Sequence, residues 1–329
     1  MTQPTVAPRT DPRAAVSRTR MKLANIVSGP ITKPPRILLY GVDGIGKTTF
    51  AASAPAPVFV GTEDGTAALP VPRFPEPRSW CDAIAAVDEL ADDLTHQYKT
   101  VAIDTLDWLE PLCWEHVCFG KRTKEGKPVE SIEDIPYGKG YAAALDEWRV
   151  LLSKLDRLRN SRGVLPILIA HSWIKSFKNP EGEDFDRFEI KLHQKAAGLM
   201  REWADIVLFA THETFTHEQN GRTKGISTGA RIMHTERQAA FDAKNRLNLP
   251  ATLPLDWQSL QDAITSGQTA SPETLRARIT ATLEASTDEA LKDRARRAVT
   301  AAGDNAGELA RIANKLAAQI NITRQQEIT

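Results

Sequence analysis

The run Arg36-Ile-Leu-Leu-Tyr-Gly-Val-Asp-Gly-Ile-Gly-Lys-Thr-Thr-Phe50 constrains this chain more than any other feature. It fits the phosphate-loop pattern G-x-x-x-x-G-K-[ST] on Gly41, Gly46, Lys47 and Thr48. Residues 36–40 read as a buried strand, and a helix opens directly after the loop. Glycines let backbone N–H groups curl around a phosphate, and the helix N-terminus adds positive potential. Gly41, Val42, Asp43, Gly44, Ile45, Gly46, Lys47, Thr48 and Thr49 are therefore the expected nucleotide-binding residues. Lys47 would reach the β- and γ-phosphates, and the Thr48 hydroxyl would bind Mg²⁺. The competing reading is a Gly-rich turn before a core helix.

The rest of the chain suits a nucleotide-binding α/β domain. Predicted strands at 36–40, 57–61, 100–104, 164–170, 206–212 and 230–235 alternate with helices at 47–53, 79–94, 106–117, 141–160 and 192–204. This alternation predicts a mostly parallel sheet covered on both faces. Asn220-Gly221 marks a hairpin within 217–229. Residues 1–30 read as a basic arm, 31–262 as the core domain and 270–329 as a helical tail, with a Ser/Gly/Gln linker near 266–271. Within the tail, 272–302 and 305–320 read as two helices forming a hairpin, the first capped by Ser271-Pro272.

Among 329 residues, 42 basic and 42 acidic side chains cancel, which excludes a uniformly basic nucleic-acid binder but leaves local patches open. Three cysteines make no disulfide framework, and a reducing cytoplasm is the expected location. No apolar run approaches the roughly 18 residues of a membrane span.

The metal needs a carboxylate partner. Lys99-Thr-Val-Ala-Ile-Asp-Thr105 is a short apolar strand ending in Asp104, the expected second Mg²⁺ residue after Thr48. Thr105 follows it, where ATPases of the AAA type usually carry a catalytic Glu. The candidate base is instead Glu63, at the end of Val58-Phe-Val-Gly-Thr-Glu-Asp-Gly65. A plain turn acid is the alternative there, and Glu110 is a less favoured base. His171 ends the strand at 164–170 and could contact the γ-phosphate; an ordinary core histidine is the alternative.

Candidate DNA contacts follow it. In 172–191, Trp173, Phe177 and Phe188 interleave with Lys175, Lys178, Arg187 and Lys191. Stacking plus phosphate neutralisation is how single strands are held, although acids, among them Glu181, Glu183, Asp184 and Asp186, lie in the same stretch and an ordinary hairpin or lid is the competing reading. Lys121 and Arg122 sit in a second short basic loop. In Ala243-Lys-Asn-Arg-Leu247, Lys244 and Arg246 suit a finger inserted into a neighbouring subunit's nucleotide site; a surface basic turn is the alternative.

These residues together resemble the phage-encoded RecA-like P-loop ATPases, including the Sak-type single-strand annealing proteins. The resemblance rests on 41–49, 62–65, 100–105, 169–172, 178–188, 202–206, 220–222 and 243–246. It implies a RecA-like core that binds ATP and Mg²⁺ between subunits of a homo-oligomer, ring or filament. It implies binding of single-stranded DNA and ATP-dependent annealing or recombination in a host cytoplasm, with Glu63 activating water and His171 sensing phosphate. The loop from Ser172 resembles a second DNA-binding loop, and Lys244 and Arg246 resemble Lys-Asn-Arg fingers. A hexameric helicase or translocase, and a non-DNA P-loop switch or kinase, stand as alternatives. The tail could dock a partner such as a single-strand-binding protein.

Overall fold

The computed structural model describes residues 22–26 and 33–316, apart from 181, 220, 221, 270, 271, 285, 287, 307 and 311. Residues 1–33 form one unit, in which Leu23–Asn25 is a 3₁₀ turn; residues 34–329 form the other. Most of the expected basic arm, residue Ser271 and the Asn220-Gly221 turn lie outside the described residues.

The larger unit is built on a nine-stranded sheet. Its strands are β1 Ile37–Gly41, β2 Pro57–Gly61, β3 Thr100–Asp104, β4 Leu165–Phe177, β5 Phe185–Ile190, β6 Ile206–Gln219, β7 Arg222–His234, β8 Lys244–Asn245 and β9 Thr252–Pro254. The central order is β2-β3-β4-β1-β6-β7-β9, with β5 on β4 and β8 on β6. The five strands β2, β3, β4, β1 and β6 run parallel. Buried parallel strands need apolar residues on both faces, and all five residues of β1 are buried.

The two-residue side-chain period divides β1 between two cores. Leu38 and Tyr40 face a layer containing α2 Trp80–Asp92, α3 Leu106–Cys118, α4 Lys139–Arg162 and α5 Gln194–Trp203. Ile37 and Leu39 face α1 Lys47–Ala52 and α6 Trp257–Thr269. The sheet is thus mostly parallel and flanked by helices, as the alternation predicts.

Three segments extend further as regular structure than the sequence predicts. The segment 172–191 is a formed hairpin, with β4 and β5 paired from Ser172↔Ile190 to Phe177↔Phe185. Its side chains alternate at period two, which suits a ladder as well as a loop. Strands 206–212 and 230–235 are the bases of one long hairpin, since β6 and β7 pair as far as Gln219↔Arg222. The expected linker at 266–271 is, up to Thr269, the last turn of α6. Gly and Ser do not stop a helix when its preceding face is anchored, as Leu260 is here.

The tail also differs. Residues 272–302 form two helices, α7 Pro272–Glu284 and α8 Glu289–Ala302, because Asp288 caps a new start by accepting from Leu291 N–H at 3.0 Å. They share a small core with Leu309, Ala313 and Leu316. Asn314 Nδ2 donates to the Asn248 carbonyl at 2.6 Å, which joins the tail to the sheet domain.

Candidate nucleotide-binding site

Parallel strands end together, and register decides which residues meet. Gly41 pairs with His171 and Ala210, Gly61 with Asp104, and Asp104 with Ile169. The phosphate loop, Glu63, Asp104 and His171 consequently gather at one edge of the sheet.

Gly41 permits the closest approach. A Cβ there would lie 2.2 Å from the Ala210 carbonyl oxygen, so no larger residue fits between β1 and β6. Gly46 has φ +108°, a conformation that favours glycine. Lys47 begins α1 and is buried; its ammonium donates to the Gly41 and Val42 carbonyls at 3.2 and 2.9 Å. Burial lowers the Lys47 pKa, opposed by Asp43, Asp104, Asp107 and Glu63. An anion entering the loop would offer this desolvated ammonium a charged acceptor in addition to the two neutral carbonyls. Val42, Asp43, Gly44, Ile45 and Thr49 complete the loop and the helix start, with Asp43 and Gly44 exposed.

The Thr48 hydroxyl donates to Asp104 Oδ2 at 2.7 Å. Asp104 is buried and its Oδ1 has no hydrogen-bond partner. Burial raises its pKa, opposed by Thr48 and Lys47. An orphaned carboxylate oxygen beside a threonine hydroxyl is a donor set that suits a hard divalent cation. Thr48 and Asp104 are therefore the residues that fit Mg²⁺.

Glu63 is held close by. Thr62 N–H donates to the Asp104 carbonyl at 2.8 Å, and its hydroxyl exchanges hydrogen bonds with Thr105 at 2.8 and 3.0 Å. This clamp fixes the end of β2 against the end of β3. A Cβ at Gly65 would touch Glu63 Oε1 and Thr48 Oγ1, each at 3.5 Å, so all three converge on one point. Burial raises the Glu63 pKa, opposed mainly by His171. A raised carboxylate is a stronger base.

His171 does not stand alone. Asp107, on the first turn of α3, accepts from the His171 backbone N–H and from Nδ1, both at 2.9 Å. That contact orients Nε2 toward the phosphate loop, 3.7 Å from Asp43 Oδ1. The Asp107 hydrogen bond raises the His171 pKa against desolvation, and His171 lowers that of Asp107 against burial. Asp107 escaped sequence reasoning, although its position three residues after Asp104 was a visible signal. Arg231 on β7 also went unread. A Cβ at Gly46 would lie 3.0 Å from its Nη1, which places a guanidinium over the loop.

The raised His171 pKa has a sign in stability. A group whose folded pKa is raised stabilises fully below its unfolded value, about 6.5, and loses this as pH passes the folded value. The thermal midpoint of the unaltered protein should therefore exceed that of His171→Gln most near pH 6 and least near about pH 9. Melting curves across that range check it; a gap constant with pH would exclude the charge-linked role.

The remaining candidates fall elsewhere. Glu110 accepts from His193 N–H at 3.1 and 3.0 Å, and burial raises it to about 7. It serves the start of α5 rather than the loop. Trp173 and Lys175 are exposed on β4, with Lys175 Nζ 3.9 Å from the Trp173 ring centroid. Phe177 lies tilted against Phe185 with ring centroids 5.2 Å apart, and Lys178 pairs with Asp184. Lys121 and Arg122 are exposed, and Arg122 Nη1 donates to the Gly126 carbonyl at 2.8 Å. Arg187 is not on the surface: its side chain is 3% exposed, below Phe177 and against Asp242.

Lys244 also departs from expectation. Its ammonium donates to the carbonyls of Arg201, Glu202 and Ala204 at 2.8, 2.9 and 2.6 Å. It satisfies the open C-terminal end of α5 and is not extended as a finger. Arg246 is half exposed and lies 3.2 Å from Asp205. Among the described residues, no helix is long and apolar enough to cross a membrane.

No curated protein matches the chain. Among solved structures, the crystal structure of the RadB recombinase aligns at 13% identity and a TM-score of 0.35, covering 64% of this chain and 85% of that one. A family model described as an AAA domain matches residues 33–247, well over half of the chain, from just before the phosphate loop to just after Arg246. With a phosphate loop, a buried strand-end aspartate and a parallel sheet all inside that span, the chain belongs to the AAA_24 family of AAA domains.

Proposed function

We propose that this protein is a Mg²⁺-dependent ATPase with a RecA-type division of labour. It binds single-stranded DNA and promotes annealing or recombination, with ATP at the interfaces of a homo-oligomer. One observation carries this reading: the Thr48–Asp104 bond flanked by Glu63 and by the His171–Asp107 pair, at the ends of β2, β3 and β4.

Bound Mg²⁺ and ATP would supply the electrophilic γ-phosphoryl group and its charge neutralisation. Lys47 and the loop N–H groups hold the phosphates. Glu63 orients and deprotonates water, a role the absence of a carboxylate at Thr105 leaves open. His171, held by Asp107, donates from Nε2. Beyond His171, β4 runs unbroken into Trp173, Lys175 and Phe177. A change at the phosphate would reach the hairpin along this one strand.

The test is hydrolysis measured with and without single-stranded DNA, in unaltered protein and Lys47→Ala. Stimulation by DNA in the first and loss of hydrolysis in the second are expected. Lys47→Ala with full activity would end the ATPase assignment. If low-salt binding and stimulation were both absent, a non-DNA switch would take its place. Directional unwinding of a forked duplex would favour a helicase.

A further inference from the structure

Asp242 collects three guanidinium groups. Arg187 of β5 lies at 2.8 Å, Arg201 of α5 at 2.9 Å and Arg237 at 3.2 Å. All four line a cavity of about 480 Å³, together with Glu189, Phe177 and Lys244. Three arginines on one carboxylate leave surplus positive charge, and Lys244 is committed to carbonyl oxygens. Glu189 offsets only part of it.

Arg187 is the informative member. Its side chain is 3% exposed, yet Nε and Nη2 have no hydrogen-bond partner. The 2.8 Å contact with Asp242 is an approach of charges without hydrogen-bond alignment. Buried guanidinium donors without acceptors are costly and call for one. Arginine forks match phosphate oxygens, and several forks can share one phosphate.

The frame is fixed. Tyr40 donates to the Asp242 carbonyl at 2.6 Å and accepts from its N–H at 3.0 Å. Phe188 N–H donates to the Ala240 carbonyl at 2.7 Å. Tyr40 also directly precedes Gly41, so the cavity is tied to the strand that carries the phosphate loop. A second cavity adjoins it, sharing Leu192 and Gln194, and is lined by Trp114, Trp173, Lys175 and Lys191, with Asp107 and Glu110 also on its wall. Aromatic faces beside cations suit the bases and neighbouring phosphates of a single strand.

We infer that the Arg187–Arg201–Arg237 cavity is a phosphate-binding site, which takes a backbone phosphate of single-stranded DNA. This rests on the strand-binding reading above. Arg237 is two-thirds exposed, so its removal should spare the fold.

The experiment measures poly-dT affinity against salt for unaltered protein, Arg237→Ala, Arg237→Lys and Arg201→Gln. Unchanged thermal midpoints serve as the folding control. Arg237→Ala and Arg201→Gln should each weaken binding about tenfold, and loss of the phosphate contact lowers the salt slope by up to about 0.7. Arg237→Lys should keep the slope and lose part of the affinity, because it retains charge without the fork. If poly-dT binds the unaltered protein and every variant alike, the site is wrong and strand binding survives. If poly-dT does not bind, inorganic phosphate decides. In a Lys47→Ala background, which disables the phosphate loop, heat stabilisation that Arg237→Ala abolishes would keep the anion site, with a free phosphate compound as its source, and end the strand reading; stabilisation that survives Arg237→Ala would end the anion site. Stabilisation of neither would end both.

Discussion

Glu63→Gln is expected to hold nucleotide normally and to lose turnover by about 10²–10⁴-fold. The substitution keeps the shape and one acceptor but removes the basic oxygen. Thr62 would keep the end of β2 clamped to Asp104 and Thr105 through bonds that do not involve the Glu63 side chain. Nucleotide affinity should hold because Lys47 and the loop provide it. Rapid-quench hydrolysis beside equilibrium nucleotide binding separates the two quantities. A variant that turned over at the original rate would remove Glu63 from the chemistry, and loss of binding would make it structural. Asp104→Asn should differ, since that carboxylate is the proposed cation ligand and its oxygen is buried without a partner.

Contrast between those two acids shows what sequence can and cannot carry. Asp104 was legible because a hydrophobic strand ending in a carboxylate is a local pattern. The place of Glu63 beside the loop was legible for the same reason, just past the end of β2. Asp107 was not, because its meaning comes from His171, 64 residues away across β3 and β4. Register brings them together, and register depends on the whole sheet. Arg231 reaches the loop only because β7 folds back along β6 beside β1.

The basic residues were harder still. Lys244 and Arg246 occupy one motif, two residues apart, and a sequence treats them alike. The chain places one on the carbonyls that end α5 and leaves the other half exposed. Arg187 and Lys175 pair across the hairpin, yet one is buried and the other exposed. Charge is visible in a sequence; the carbonyl, carboxylate or solvent that receives it is not. The division of 272–302 into α7 and α8 and the continuation of α6 through Ser266 depart from the sequence reading for particular reasons. At Ser266 local propensity was overridden by anchoring at Leu260, whereas at Asp288 a local cap signal starts a new helix.

Arg246→Ala should lower turnover by about 10³-fold or more, the loss typical of an arginine supplied to a transferring phosphoryl group. The residue is free to act because its present partner does not depend on it. Asp205 accepts from Arg36 at 2.9 and 3.1 Å and lies 3.6 Å from Arg159. Burial would raise the Asp205 pKa, but Arg36 first, with Arg159, lowers it to about 2, so the carboxylate stays charged and paired when Arg246 leaves. Mixing decides whether the arginine works across an interface. Lys47→Ala and Arg246→Ala proteins should each be inactive alone. Combined, an intact phosphate loop from one can meet an intact Arg246 from the other, and activity should return. Lys244→Ala should behave otherwise: a lower thermal midpoint from three lost hydrogen bonds, and no recovery of that midpoint on mixing. An inactive mixture would place Arg246 in its own subunit's fold and remove the shared site from the mechanism.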